Sequence, residues 1–275
     1  MLVFESPLQD YTICATNVLY LGEYYRILTS ALLHGNFMHL VFNMTSTLAI
    51  GSGLEMTLGT LSLAFIIVWS IVLTGLVHVS AEWAMTFWIT GDPQYVHQHS
   101  VGFSGVIFTL ALMESHITTQ AMRSVFGMFE VPTRTYPWVL MLLISILMPN
   151  VSFMGHLSGI LVGVMHVYGL TSSVMPSKAY CTEMEGYWII KEIARQPNFV
   201  ACPQPPEGQV EREVTPWNLL IGIRGVLVGG GTVVCWVMST ILHVLGLYSP
   251  IQRQEDHGSM DETSDTESGR AYELT

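Results

Sequence analysis

One uncharged stretch, residues 61–79, constrains the fold more than any other feature of the chain. It reads LSLAFIIVWSIVLTGLVHV and holds 19 residues without a formal charge. About 20 apolar residues in a helix are enough to cross the hydrocarbon core of a bilayer. Of the 275 residues, 50% are apolar and 11% are charged, whereas a soluble domain carries about 25% charged residues. The chain is therefore predicted to be a multi-pass membrane protein of the all-α class.

Six apolar segments divide the chain, at residues 32–54, 60–81, 101–118, 136–150, 152–171 and 225–247. Two of them are short for helices in contact with lipid, which predicts that they lie buried inside a helical bundle. The predicted order is a luminal or exterior loop (1–31), a membrane core (32–171), a cytosolic linker (172–224), an additional transmembrane helix (225–247) and an acidic disordered tail (248–275). Within the linker, GYWIIKEIARQ is predicted to form a short surface helix.

The basic residues predict the orientation in the membrane. Seven of the ten Lys and Arg residues lie in the segments 119–135 and 172–224. Because positive residues favour the cytosolic side, both segments are assigned there. The segment 82–99 then faces the lumen or the exterior as a loop rich in aromatic residues.

Net charge and cysteine spacing argue against two kinds of partner. The net charge is −11, and no basic stripe is available to neutralise phosphates, so no nucleic-acid partner is predicted. The four cysteines lack metal-ligand spacing, so neither a zinc site nor a disulfide framework is predicted. His97 and His99 leave two interpretations open, a metal site or a solvated loop, and the loop is favoured because no further ligand is evident.

Polar side chains are costly inside apolar helices, so those found there are candidates for chemistry. In HGNFMHLVFN, His39 and Asn43 are four residues apart and share one helix face, and His34 lies near the helix start. Ser104 opens an apolar helix in the motif GFSG, and His156 opens another in GHLSGILVG. Both helices carry glycines that permit close helix approach: Gly102, Gly105, Gly159 and Gly163.

Close approach of these two helices would place the Ser104 hydroxyl in contact with the His156 imidazole. A serine within hydrogen-bond reach of a histidine is the minimal activated nucleophile, and His39 and Asn43 could donate to a developing oxyanion. The alternative is that Ser104 bonds its own helix backbone, as most transmembrane serines do, because GxSG alone is a weak signal. The three motifs together favour a Ser–His dyad hydrolase that works within the bilayer.

These residues resemble the rhomboid intramembrane serine proteases over about residues 20–171. YYRILTSALLHGNFMHLVFN is similar to that family's basic and aromatic loop followed by HxxxxHxxxN. GFSG is similar to its GxSG nucleophile motif, and HLSGILVG to its HxxGxxxG helix. The resemblance is greatest to the endoplasmic-reticulum subfamily with a cytosolic tail. It implies a membrane location in the endoplasmic reticulum.

The resemblance implies a role for each matching residue. Ser104 would be the nucleophile and His156 the general base and acid, with His39, Asn43 and the Ser104 backbone N–H as the oxyanion hole. The remaining matches would support the site: Arg26 and His34 the loop and helix before it, Glu55 the helix ends, Phe108 the His156 ring by stacking, and Gly102, Gly105, Gly159 and Gly163 the space around the dyad. The implied substrates are membrane proteins with unstable transmembrane helices, and neither a metal nor another cofactor is implied.

Two departures from the family pattern bear on the function. The family has a transmembrane helix before its first loop, and this chain begins without one. The segment 225–247 has no clear counterpart in the subfamily. The alternative prediction is a catalytically inactive membrane binding or escort protein, or a truncated isoform.

Overall fold

The computed structural model describes residues 7–148, 151–172 and 174–203, and it is mostly helical. Nine α-helices occur in these residues: α1 (Ala15–Tyr20), α2 (Arg26–Leu32), α3 (Phe37–Leu58), α4 (Thr60–Ala84), α5 (Ser104–Ile117), α6 (Tyr136–Leu147), α7 (Phe153–Val167), α8 (Lys178–Glu185) and α9 (Trp188–Ala194). Single turns of 3₁₀-helix cover Tyr95–His97 and Thr133–Thr135, and a longer one covers Pro7–Tyr11.

The all-α prediction misses a β-hairpin between α5 and α6. Strands β1 (Met122–Val125) and β2 (Phe129–Pro132) pair antiparallel, with Met122 opposite Pro132. Phe126 and Gly127 in the connection have φ values of 51° and 73°. Positive φ at both central positions is the geometry of the tight hairpin turn that matches strand twist.

The segment 1–31, predicted to be a loop, is partly helical. Besides the 3₁₀ turn at Pro7–Tyr11, it contains α1 and most of α2. The first long helix, α3, begins at Phe37 rather than at residue 32. Its start is fixed by Asn36, whose side-chain oxygen accepts a hydrogen bond from the His39 backbone N–H at 2.8 Å, an N-cap that satisfies a donor otherwise left without an acceptor.

The segment 82–99 was predicted to be a loop, and its first nine residues are helical. Helix α4 runs to Ala84 and continues as a π-helix over Met85–Thr90 before Gly91 ends it in the left-handed conformation. The Trp83 ring packs on the rings of Phe87 and Trp88 at this end of the helix. The helix therefore extends past residue 81, the end of the predicted apolar segment, and aromatic side chains pack along this extension.

Length and composition identify one helix in the described residues as able to cross a membrane alone, the one from Thr60 to Thr90. Three further apolar helices are shorter, covering Ser104–Ile117, Thr133–Leu147 and Phe153–Val167. The short helix α5 is the centre of the bundle, since ten of its 14 residues are buried. It packs against α7 on one side and against α3 and α4 on others. A buried helix needs no lipid-spanning length.

Beyond α7, the linker contains two short helices. Helix α9 lies within the GYWIIKEIARQ segment, which confirms the predicted surface helix. Cys181 of α8 is fully buried, as is nearly all of Cys202 in the following segment. The remainder of the linker, the predicted helix at 225–247 and the predicted tail at 248–275 lie outside the described residues.

Candidate active site

Ser104 is the first residue of α5, and the turn before it is shaped by a glycine. Gly102 has a φ of +124°, a conformation that residues with a Cβ rarely adopt. Its backbone N–H donates to the carbonyl oxygen of Ser30 in α2 at 2.8 Å. The chain is thereby held so that the Ser104 side chain emerges at the helix start, where backbone N–H groups have no acceptor within the helix.

Helices α5 and α7 touch through their glycines. A Cβ on Gly159 would lie 2.0 Å from the Gly105 carbonyl oxygen, and one on Gly163 would lie 2.9 Å from the Thr109 carbonyl oxygen. The buried Thr109 hydroxyl also donates to the Gly159 carbonyl oxygen at 2.8 Å. The sequence predicts the small-residue face, but nothing in the sequence marks Thr109 as the hydrogen bond that joins the helices.

This contact brings the two predicted dyad residues together. His156 Nε2 lies 3.0 Å from Ser104 Oγ, within hydrogen-bond distance. The imidazole is 4% exposed, and the Phe108 ring packs on it with 4.6 Å between ring centroids. Its Nδ1 atom has no hydrogen-bond partner among the described residues. Within the described part of the chain, this ring is therefore oriented by packing on Phe108 and by the glycine-lined helix contact rather than by a carboxylate.

The polar face of α3 borders the same turn. A Cβ added to Gly102 would lie 2.7 Å from His39 Nε2 and 3.6 Å from Asn43 Nδ2. Asn43 is 4% exposed, and its Nδ2 donor has no partner in the described part of the chain. The His34 ring meets the His39 ring edge to face at 5.2 Å between centroids. The site thus holds a buried donor beside the hydroxyl–imidazole pair.

Arg26 supports the segment that precedes the site. Its guanidinium is nearly buried and donates to the carbonyl oxygens of Gln9 and Thr12 at 2.8 and 3.0 Å and to the Glu23 carboxylate at 2.6 Å. Hydrogen bonds from Asn17 and then from Arg26 lower the pKa of Glu23 below its usual value. Through these hydrogen bonds the arginine connects residues 9–12 to the start of α2.

Glu55 and Thr60 lie on either side of the turn between α3 and α4. The Thr60 hydroxyl donates to Glu55 Oε1 at 2.6 Å. The Gly59 backbone N–H donates to the Glu55 carbonyl oxygen at 2.8 Å. Glu55 thus links the end of one helix to the start of the next, at the far end of α3 from His39.

The sequence predictions do not include a buried histidine–glutamate contact in α4. His78 Nε2 lies 3.1 Å from Glu82 Oε1, at an angle too poor for a hydrogen bond, and the side chains are 3% and 0% exposed. Thr74, one turn earlier on the same face, contacts the position that a Gly105 Cβ would occupy. The i, i+4 spacing of a histidine and a glutamate at the end of an apolar run is the signal that could have revealed the pair.

The two histidines of the loop after α4, His97 and His99, contact hydroxyl groups. His99 Nδ1 lies 2.7 Å from Thr12 Oγ1, and His97 Nδ1 lies 3.1 Å from Thr16 Oγ1. No group of three or more His, Cys, Asp or Glu side chains suited to a metal occurs in residues 7–148, 151–172 and 174–203. These histidines join the loop after α4 to the start of α1, a contact continued by the Ile13–Ser100 bridge.

Comparison with known proteins identifies one family. The Rhomboid domain family matches residues 21–173. The chain is 33% identical to Rhomboid-like protein 15 of Arabidopsis thaliana, over 66% of this chain and 45% of that protein. It is 34% identical to Rhomboid-related protein 4 of Homo sapiens, over 64% and 55% of the two chains.

A fungal relative carries an enzyme name. The chain is 30% identical to Rhomboid-type serine protease 2 of Gibberella zeae, over 55% of each protein. The chain spans about half the length of the curated relatives it matches. No solved structure gives a significant match. Since the family match covers more than half of its residues, the chain belongs to the rhomboid family of helical membrane proteins.

Proposed function

We propose that the chain is an intramembrane serine endopeptidase that cleaves membrane proteins with a Ser104–His156 dyad. The observation that carries the proposal is the 3.0 Å distance between Ser104 Oγ and His156 Nε2. A nucleophile needs a base within this reach. The serine protease name of the fungal relative supports the same reaction class.

The reaction follows from the groups at the site. Ser104 Oγ attacks the carbonyl carbon of the scissile peptide bond, and its proton passes to His156 Nε2. The negative charge that develops on the carbonyl oxygen is stabilised by Asn43 Nδ2, the His39 ring and the Ser104 backbone N–H. His156 then gives the proton to the leaving amine nitrogen, and the first product departs.

Water completes the cycle. His156 removes a proton from a water molecule, whose oxygen attacks the acyl carbon, and the ester bond to Ser104 breaks. The proton returns to Ser104 Oγ, and the second product leaves with a carboxyl group. All proton transfers use Ser104, His156, substrate and water.

The substrate and the location are also part of the proposal. The most suitable substrate is a transmembrane helix that is already unstable, because a peptide bond must leave its helix before a serine can attack it. We place the protein in the endoplasmic-reticulum membrane, with residues 119–135 and 172–224 in the cytosol. The segment 225–247 would add a transmembrane helix.

The deciding experiment measures cleavage of a single-span reporter co-reconstituted with the full chain. We expect cleavage by the parent chain and background cleavage by Ser104→Ala and His156→Ala. Ser115→Ala and His116→Ala are matched controls on α5, because the Ser115 hydroxyl bonds the Leu112 carbonyl oxygen away from the dyad. Both controls should cleave as the parent does.

Equal cleavage by the parent, Ser104→Ala and His156→Ala would rule out the protease. If the parent cleaves nothing but retains a membrane-protein client, and both variants retain it equally, the chain is a binding or escort protein. In the first outcome the reporter is cleaved, and in the second it stays intact. A gel of the reporter therefore distinguishes the two.

A further inference from the structure

The family match ends at residue 173. Among the described residues that follow it, residues near Val200 contact the turn between α3 and α4. The Thr60 backbone N–H donates to the Val200 carbonyl oxygen at 2.8 Å. The Val200 backbone N–H donates to the Thr60 hydroxyl oxygen at 2.9 Å. These reciprocal bonds join residues 140 positions apart, at the first turn of the membrane-spanning helix. We call residues 199–203 the strap.

Cys202 closes the strap onto the turn. The residue is 4% exposed, and its Sγ lies 3.2 Å from Ser62 Oγ. Its backbone N–H donates to Glu185 Oε1 in α8 at 2.8 Å. Gly59 has a φ of +87°, and a Cβ there would lie 2.7 Å from Cys202 Cα. The turn is therefore shaped for backbone contact with the strap, and a larger residue at position 59 would push the strap away.

One hydroxyl connects the strap to α3. Thr60 Oγ1 accepts from the Val200 N–H and donates to Glu55 Oε1 in the last turn of α3. The same helix carries His39 and Asn43 at its other end. Much of the α3 surface faces away from the bundle, with Leu48 and Met56 each 73% exposed. Contacts at the ends of such a helix therefore add to its packing against α4 and α5 in holding its position.

We infer that the strap holds α3 in place through the Thr60–Glu55 contact, and that Thr60, Glu185 and Cys202 are positioning residues for the oxyanion donors. The catalytic part of this inference rests on the proposed function. The strap lies after residue 173, where the family match ends. The strap is therefore a support for the core that lies outside the family motifs.

The Cys202 thiol reports whether the strap is docked. Burial raises the pKa of this thiol to about 11, with the nearby Glu185 carboxylate adding to the effect and the Ser62 hydrogen bonds opposing it. Because the thiolate is the reactive form, a docked strap keeps Cys202 slow toward alkylating reagents. Release of the strap exposes the thiol and returns its pKa toward the ordinary value.

The experiment compares four variants of the full chain in nanodiscs with the parent. Thr60→Val removes the shared hydroxyl, and Glu185→Ala removes the acceptor for the Cys202 N–H. Glu185→Gln keeps a carbonyl acceptor for that N–H and should leave the strap docked. Thr57→Val is the matched control, because the Thr57 hydroxyl bonds the Gly53 carbonyl oxygen of its own helix. Glu185 lies outside the membrane core, so its variants avoid the folding risk of Thr60→Val.

Three measurements follow each variant. Mass spectrometry measures how fast iodoacetamide labels Cys202. Deuterium exchange measures the protection of the backbone amides in residues 37–47. A fluorophosphonate probe measures how fast Ser104 is labelled. Thr60→Val and Glu185→Ala should label Cys202 at least ten times faster, exchange faster in residues 37–47 and label Ser104 several times more slowly. Thr57→Val should match the parent in all three, and Glu185→Gln should match it in exchange and in Ser104 labelling, because only Cys202 labelling also depends on the lost carboxylate charge.

Unchanged exchange in residues 37–47 despite faster Cys202 labelling would overturn the inference, since the strap would then dock without holding α3. Unchanged Cys202 labelling in both Thr60→Val and Glu185→Ala would overturn it as well. If the parent itself fails to react with the fluorophosphonate and to cleave the reporter, the proposed function fails. The exchange of residues 37–47 still decides the role of the strap in that case.

Discussion

Gly159 of α7 lies against the backbone of Gly105 in α5, so that an added Cβ would be 2.0 Å from the Gly105 carbonyl oxygen. Atoms cannot approach this closely, and backbone cannot move aside as a flexible side chain does. Gly105 follows Ser104 directly. Any separation of the two helices therefore moves the serine away from His156.

We expect Gly159→Ala to lower the free energy of unfolding by about 1–3 kcal/mol, the usual cost of overpacking a core, and to reduce reporter cleavage. Thermal unfolding in detergent and the reporter assay measure the two effects. Gly53→Ala on α3 is the control, because its added Cβ would have nothing within 4 Å. Identical unfolding midpoints for Gly159→Ala and Gly53→Ala would show that the helices are not in contact.

Gly102→Ala should abolish most cleavage. The added methyl would lie 2.5 Å from His39 Cε1, and the φ of +124° would also be strained. Gly91→Ala separates the two effects, because Gly91 also has a positive φ, +71°, but open space around it. Steady-state kinetics should give a low kcat for Gly102→Ala and a parental kcat for Gly91→Ala. Equal losses in both would contradict a specific effect of the methyl group on His39.

Asn43→Ala should lower kcat by a factor on the order of 10²–10³, the effect of removing one oxyanion donor. Its Nδ2 atom is buried without a partner in the described residues, so a carbonyl oxygen that gains charge is its natural acceptor. KM should change little, because the donor acts on the charge of the transition state. A fall in kcat/KM that comes entirely from KM would assign Asn43 to substrate binding instead.

The sequence predicts the helices of the core well, because long apolar runs and glycine faces are local signals. The nearness of Ser104 and His156 follows from such signals, since their helices carry small residues at the contact. The β-hairpin is hidden because its turn places Phe126, a bulky residue, at a positive φ. The partial helicity of residues 1–31 is hidden because short helices depend on tertiary contacts, such as those of Arg26, more than on local propensity.

Contacts between distant parts of the chain leave no local signal. The bond from Gly102 to Ser30 and the bond from the Thr60 N–H to the Val200 carbonyl oxygen join backbone groups, which every residue carries. The His78–Glu82 contact was missed for another reason, because a count of formal charges along an apolar run leaves histidine out. The catalytic roles of the matching residues stay predictions that the experiments above decide.

The His78–Glu82 pair should be important for stability. Removing one of these two buried side chains leaves the other polar group without its neighbour, which costs about 1–3 kcal/mol. We expect His78→Ala and Glu82→Ala each to lower the unfolding midpoint strongly, and the double variant to lose less than the sum of the two. A double-mutant cycle of thermal unfolding measures this coupling. Strictly additive losses would mean that the two side chains do not interact.

Contact between the loop after α4 and the start of α1 should weaken in acid. Burial, helped by the nearby charges of Arg26 and His97, lowers the pKa of His99 below its ordinary value of 6.5. The folded protein thus favours neutral His99, so its stabilising contribution is complete above pH 6.5 and is lost as pH falls through the lowered pKa. Deuterium exchange at Ile13 and Ser100, which bond each other, should accelerate as pH falls below 6.5, after correction for the intrinsic rate. His99→Asn should remove this dependence, and a parental pH profile in that variant would show that another group titrates.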